Sequence, residues 1–258
     1  MDWGGGDAAG AGAQYAALLP VAERVCGPED PDTLASRANL AHWTGEAGDA
    51  AGAREQYAAL LPVVERVGGA EHPHTLAARE NLARWTGKAG DAAGARDQYA
   101  ALLALREHAC GPEHPDTLTT RTSLARSTGA AGDAAGARDQ FAVLLEVRER
   151  TCGPEHLYTL TARANLARWT GEAGDAAGAR DQFAAMLPVV ERVCGPEHLN
   201  TLAGQGSIAD WTGKAGNAAG ARDQYAALLE VCERVCGPED PFTLAARAAL
   251  ARWTAAAG

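Results

Sequence analysis

Between residues 49 and 69, apolar side chains fall at Ala53, Tyr57, Leu60, Val64 and Val67, in steps that set them in one stripe along a helix. Asp49 offers an N-cap oxygen ahead of this stripe and Gly69 a stop behind it. A second pattern over residues 33 to 47 lines Ser36, Leu40, Trp43, Thr44 and Ala47 along the core side of another helix, with Gly48 as its stop. Its start has two candidate caps: residue 30 with Pro31 at the first helical position, or Thr33. We call the pattern that starts at residue 33 helix A and the one that starts at residue 49 helix B. Pro62, like Pro20 and Pro188, falls opposite the helix B stripe, where proline bends a helix without entering the core. Nothing reads as a strand, so the pattern predicts an all-α chain.

Both patterns recur every 42 residues. Arg84 to Ala101 matches Arg168 to Ala185, two periods on, except for Lys88 against Glu172 and Tyr99 against Phe183. A fixed period of this length means stacked helix-pair units. B helices are predicted to begin near residues 7, 49, 91, 133, 175 and 217, and A helices near 32, 74, 116, 158, 200 and 242, making residues 1–258 one array of about 12 helices. Small residues at Ala41, Gly52 and Ala53 read as spacers for close helix approach. Polar capping repeats are missing from the pattern. The first B helix, Asp7 to Val25, and the last A helix, Thr243 to Thr254, are expected to leave complementary apolar faces, which makes head-to-tail self-association an alternative role. The segment Asp2-Trp3-Gly4 matches part of Asp210-Trp211-Thr212-Gly213 and points instead to a longer array.

Charge narrows the partners. With 33 acidic and 23 basic residues the net charge is -10, which opposes phosphate neutralisation and argues against nucleic acid. The longest uncharged stretch, Ala8 to Ala22, has 15 residues, fewer than the roughly 18 of a membrane span. Met1-Asp2-Trp3 lacks the basic flank of a signal peptide. A cytoplasmic protein without membrane contact is therefore expected. Cys26, Cys110, Cys152, Cys194 and Cys236 share one repeat position. Stacked repeats separate such positions by about 8–10 Å, beyond the ~7 Å limit between disulfide-bonded Cα atoms; free thiols fit better.

Chemical motifs are sparse. Cys232 and Cys236 lie one helical turn apart, but no His or acidic cluster completes a zinc set. His72, His114, His156 and His198 recur in the linkers as caps or turn residues. Gly204-x-Gly206-x-x-Ala209 imitates part of a dinucleotide fingerprint inside a helix, with no strand before it. Neither a phosphate loop nor a supported catalytic triad is present. No cofactor, metal or catalytic role is expected, and the chain does not read as an enzyme.

Asn39-Leu40-Ala41, Asn81-Leu82-Ala83 and Asn165-Leu166-Ala167, the Ala-Gly-Asp turn, and Ala53 with Tyr57 resemble the tetratricopeptide repeat. The linker from Gly111 to Leu118 (Gly-Pro-Glu-His-Pro-Asp-Thr-Leu) and the 42-residue period resemble its kinesin-light-chain type. The chain departs from the family pattern at Thr44, Ala50 and Trp43. The resemblance implies a right-handed superhelical solenoid of antiparallel helix pairs whose A helices line a peptide-binding groove. It also implies a scaffold or sensor role, as in arrays of larger bacterial signalling proteins. The alanine-rich, nearly identical repeats resemble actinobacterial sequences.

The resemblance turns the outer face of helix A, with Ala35, Ala38, Asn39, His42 and Glu46, toward that groove. The His42 position continues as Arg84, Arg126, Arg168, Asp210 and Arg252, a largely basic ladder on an acidic chain. The Asn39 position continues as Asn81, Ser123, Asn165, Ser207 and Ala249, mostly groups able to bond a peptide backbone. Asn39, His42, Asn81, Arg84, Ser123, Arg126, Asn165, Arg168 and Arg252 are therefore the candidate binding residues, with an acidic protein or peptide segment as ligand. The competing reading is a solvated face whose arginines pair with Glu46, Glu172 or neighbouring repeats. Trp43, Trp85, Trp169, Trp211 and Trp253, interrupted by Ser127, read as packing between repeats rather than as an aromatic platform.

Overall fold

The computed structural model describes residues 8–258, which form twelve α-helices and, among those residues, no strand. The Asp7 cap and the Asp2-Trp3-Gly4 segment lie outside the described residues. The helices fall into two compact units divided after Gly132. Unit 1 holds α1 (Ala8–Val25), α2 (Pro31–Glu46), α3 (Ala50–Gly68), α4 (Pro73–Lys88), α5 (Ala92–Cys110) and α6 (Pro115–Ala130). Unit 2 holds α7 (Ala134–Cys152), α8 (Leu157–Glu172), α9 (Ala176–Cys194), α10 (Leu199–Lys214), α11 (Ala218–Val235) and α12 (Pro241–Ala257). Even numbers are A helices and odd numbers B helices, and within each unit every helix packs on the next. Each unit is thus a stretch of all-α helical-repeat solenoid.

Side chains decide where each helix starts. Asp30 is the cap of α2, accepting a hydrogen bond from the Asp32 amide at 2.9 Å, with Pro31 following at the first helical position. At the same position His72, His114, His156 and His198 accept through Nδ1 from the amide two residues on. The alternative cap, Thr33, is buried rather than capping, and four of its equivalents bond backward. Thr117, Thr159 and Thr201 donate to the carbonyls of Gly111, Gly153 and Gly195, which close the preceding B helices. Thr75 donates instead to the Val64 carbonyl. Each hydroxyl satisfies a carbonyl near the end of a helix and fastens the B-to-A turn.

Helix B starts on Asp49, whose Oδ1 accepts from the Gly52 amide at 2.8 Å. A Cβ on residue 52 would lie 2.2 Å from Asp49 Oδ2, so Gly52 is small for the cap rather than for helix approach. Gly69 closes α3 at φ 93°, with its amide donating to the Glu65 carbonyl. Pro20, Pro62 and Pro188 lie inside B helices on their exposed side.

The B stripe packs through Ala53, Tyr57, Leu60 and Val64, while Val67, in the last turn, is 47% exposed. The A face is rotated from its expected position. In α2 the buried residues are Thr33, Leu34, Ala41 and Gly45, whereas Ser36, Leu40, Trp43 and Thr44 are half-buried and Ala47 is exposed. The rotation follows from two-sided packing: Leu34 and Ala41 share one cluster with α3 residues and with Ala78 and Trp85 of α4. Apolar spacing within a single helix does not register the second neighbour.

Tryptophan makes that second contact. A Cβ on Gly45 would lie 2.3 Å from the Trp85 ring, one on Gly171 2.3 Å from Trp211, and one on Gly213 2.4 Å from Trp253. The indole of one A helix therefore rests on a bare Cα of the A helix before it. Ion pairs recur around this core, such as Arg79–Glu65, Arg121–Glu107 and Arg247–Glu233 between a B helix and the next A helix. Arg66–Glu29, Arg192–Glu155 and Arg234–Glu197 join consecutive repeats. These exposed pairs contribute about 0–1 kcal/mol each, so packing dominates. Arg106 is a buried exception at the position of Val64, held by Glu80 at 2.6 Å and by Thr120 Oγ1.

The indole contact makes alanine costly at one glycine and mild at its equivalent. Gly171→Ala is expected to destabilise the protein by about 1–3 kcal/mol through overpacking, despite alanine's helix preference of about 1 kcal/mol. At Gly87 the added methyl would meet the Ala95 methyl at 3.2 Å, so Gly87→Ala should cost less. Denaturant unfolding of both variants measures the difference.

Candidate functional site

In unit 2, α8 and α10 border a cavity of about 350 Å³. Asn165 and Arg168 come from α8, and Ser207, Asp210 and Lys214 from α10. Asn165 donates one amide hydrogen to its own helix at the Thr161 carbonyl, leaving its oxygen and second hydrogen available. Ser207 donates to the Ala203 carbonyl and retains acceptor capacity. Both acids at the cavity already have cations: Glu172 pairs with Lys214 at 3.3 Å and Asp210 with Arg252 at 2.5 Å. Arg168 is exposed, rests 5.1 Å from the Trp169 ring centre and makes no ion pair among the described residues. The cavity consequently carries one uncompensated guanidinium.

Unit 1 divides its candidates in the same manner. Arg84 is engaged by His42 Nδ1 at 3.0 Å and Glu46 at 3.4 Å, and lies over the Trp85 ring. Arg126 is exposed and has no acidic partner among the described residues. Asn39 and Asn81 line a smaller cavity of about 170 Å³ beside Ala35 and Ala38. Asn81 bonds back to the Ala77 carbonyl, and Ser123 lies near the Tyr99 hydroxyl. The ladder thus separates into Arg84 and Arg252, which have acidic partners, and Arg126 and Arg168, which have none among the described residues.

The tryptophans are packing elements. Trp85 is fully buried and Trp169 and Trp211 nearly so, with Lys88 and Lys214 lying 4.4 and 4.0 Å from the ring centres of Trp85 and Trp211. Gly204 and Gly206 lie within α10, where Gly206 accepts the Tyr225 hydroxyl. Cys232 is buried between α10 and α12, and burial raises its thiol pKa. Among the described residues no group of His, Cys, Asp and Glu is arranged to hold a metal ion, and no helix is long and apolar enough to cross a membrane.

The tetratricopeptide repeat model matches five consecutive 42-residue units, at 33–74, 75–116, 117–158, 159–200 and 201–242. The chain belongs to the tetratricopeptide repeat family. Among solved structures it is similar to a Podosopora anserina protein named for kinesin light chain and for nearly identical TPR-like repeats. That match has 23% identity, a TM-score of 0.70, and covers 80% of this chain and 98% of the other. It is also similar to BtubC of P. vanneervenii, at 16% identity and a TM-score of 0.71, covering 89% and 92% of the two chains. A signal transduction ATPase from Pyrococcus horikoshii, described as carrying a tetratricopeptide repeat sensor, matches at 10% identity and a TM-score of 0.71. There 96% of this chain covers 36% of the ATPase. At these identities the likeness shows the fold. The search of curated proteins finds no match.

Within this tetratricopeptide array, Lys88 and Lys214 are members of the A-helix charge network that the ladder positions alone do not reveal. They lie one turn beyond Arg84 and Asp210, each paired across one repeat, with Glu46 and Glu172. Three buried tyrosines anchor the face from below. Tyr57 donates to the Ala38 carbonyl and Tyr225 to the Gly206 carbonyl. Burial pushes the Tyr57 hydroxyl up to about 12 and raises Tyr99 and Tyr225 as well.

Burial and then Arg84 hold the His42 pKa below its usual 6.5, against the opposing pull of Glu46. The unfolded chain therefore takes up a proton near pH 6.5 that the folded chain accepts only at lower pH, so stability falls as pH drops below about 6.5. His42→Gln should flatten this component. Denaturation midpoints at pH 7.5 and 5.5 are expected to differ less for the variant than for the wild type.

Proposed function

We propose that the protein is a non-enzymatic scaffold that binds a protein or peptide segment along the exposed face of its A helices, with a preference for acidic segments. Membership in the tetratricopeptide repeat family supports the scaffold role. The observation that carries the acidic preference is Arg168: an exposed guanidinium beside the free acceptors of Asn165 and Ser207, in a cavity whose two acids are already neutralised. Arg126 offers the same chemistry in unit 1. A hydrogen bond to a charged group contributes about 1.5–3 kcal/mol, whereas ordering a flexible segment costs about 2–5 kcal/mol. Micromolar affinity follows. The sensor description of the Pyrococcus horikoshii ATPase supports a related placement, in which the array is the ligand-reading part of a larger signalling protein.

Self-association through terminal helices is the second reading. It is supported by Leu18 in α1 and Leu244 in α12, which are 49% and 43% exposed although their equivalents Leu60 and Leu202 are buried. Position 255 weighs against a copy continuing the internal register. It holds Ala255 where Gly45, Gly171 and Gly213 receive an indole, and a methyl there would meet an incoming ring.

Fluorescence anisotropy with a labelled aspartate-rich peptide tests the first reading. Arg168→Gln is expected to weaken binding about tenfold or more, and Arg84→Gln to weaken it less, because Arg84 is already engaged by His42 and Glu46. Equal affinities in all three proteins would overturn the acidic preference, and sedimentation showing concentration-dependent growth in mass would favour the second reading.

A further inference from the structure

We propose that Cys232 and Cys236 of α11 form a dithiol site for a trivalent arsenical, held as a single-atom bridge between the two sulfurs. The pair lies on a B helix, so the inference does not depend on the helix A face.

The repeat supplies this pair once. Cys236 holds the position of Cys26, Cys110, Cys152 and Cys194, whereas Cys232 stands where the other repeats have Ala22, Val64, Arg106, Arg148 and Val190. Both thiols are free, and both pack against the same apolar cluster of unit 2, Cys232 fully buried and Cys236 half-buried. The Cys236 amide donates to the Cys232 carbonyl at 2.8 Å. The two side chains therefore sit on adjoining turns along one side of α11, where the helix ends.

Spacing and charge select the ligand. Cβ atoms on adjoining turns are about 5–6 Å apart, whereas a disulfide requires roughly 3.5–4.5 Å. A direct S–S bond would have to break the last turn of α11, but one atom inserted between the sulfurs spans the gap. Zinc is not that atom: it takes four ligands, and among the described residues no set of three or more His, Cys, Asp and Glu is arranged for a metal ion. Burial, the neighbouring Cys236 and Asp240 all raise the Cys232 thiol pKa. That thiol stays protonated at neutral pH, which favours a reagent that consumes neutral thiols over a cation that requires thiolates. Arsenous acid is such a reagent. Two of its As–O bonds are replaced by As–S bonds, each thiol proton leaves with a displaced hydroxyl as water, and arsenic stays trivalent. The product is uncharged, as an apolar site requires. Cys236 is open to the first As–S bond, and the second closes on Cys232 one turn back.

The test treats the full chain with an equal concentration of phenylarsine oxide, which forms the same bridge with loss of one water. Wild type is expected to take up one arsenical by intact-mass spectrometry, mapped by proteolysis to the segment carrying Cys232 and Cys236, and to unfold at a higher temperature. Prior saturation with arsenite should block that uptake. Cys232→Val restores the residue found at Val64 and Val190, so the variant is expected to keep its helicity and lose the uptake. Cys236→Ala should lose it as well, whereas Cys110→Ala and Cys194→Ala should retain it. Uptake that survives Cys232→Val, an arsenical mapped to other cysteines, or no uptake at equal concentration would overturn the site.

Discussion

At three junctions between consecutive A helices an indole from one helix lies on a bare glycine Cα of the other. The contact leaves no room for a single methyl group at Gly45, Gly171 or Gly213. It ties a large side chain to a small one 40 residues earlier, so it specifies spacing and register together. The other devices act around it. Threonine hydroxyls at four of the B-to-A turns fasten a B helix to the next A helix, Asp49 and its equivalents start the B helices, and cations such as Lys88 and Lys214 cover the outer faces of the rings. Exposed ion pairs follow the same periods but contribute little individually.

This division explains which parts were legible in sequence. The helix B stripe was readable because a B helix buries one face, and Ala53, Tyr57, Leu60 and Val64 fall on it at regular spacing. Helix A buries a face rotated from the one its spacing marks, because it touches neighbours on two sides and its closest contacts use Ala41 and Gly45, which add little to any hydrophobic pattern. The cap at Asp30 and the buried role of the Thr33 position were separable only once the threonine hydroxyls were seen bonding backward to Gly111, Gly153 and Gly195. Val67 belonged to the pattern by spacing but lies in a last turn where the packed surface has ended.

The candidate site was legible as a set of positions and not as a set of states. Repetition identifies the His42 and Asn39 positions in every unit, yet nothing in the spacing distinguishes Arg84, held by His42 and Glu46, from Arg126 and Arg168, which have no acidic partner among the described residues. That distinction depends on the residue one repeat earlier and one turn along.

An acidic peptide carrying a nitroxide label would test the central claim most directly, through the paramagnetic broadening it causes along the chain. The account predicts broadening at Asn165 and Arg168 in α8 and at Ser207 in α10, with the exposed sides of α9 and α11 spared. Broadening centred on the B helices, or spread evenly over the surface, would contradict it.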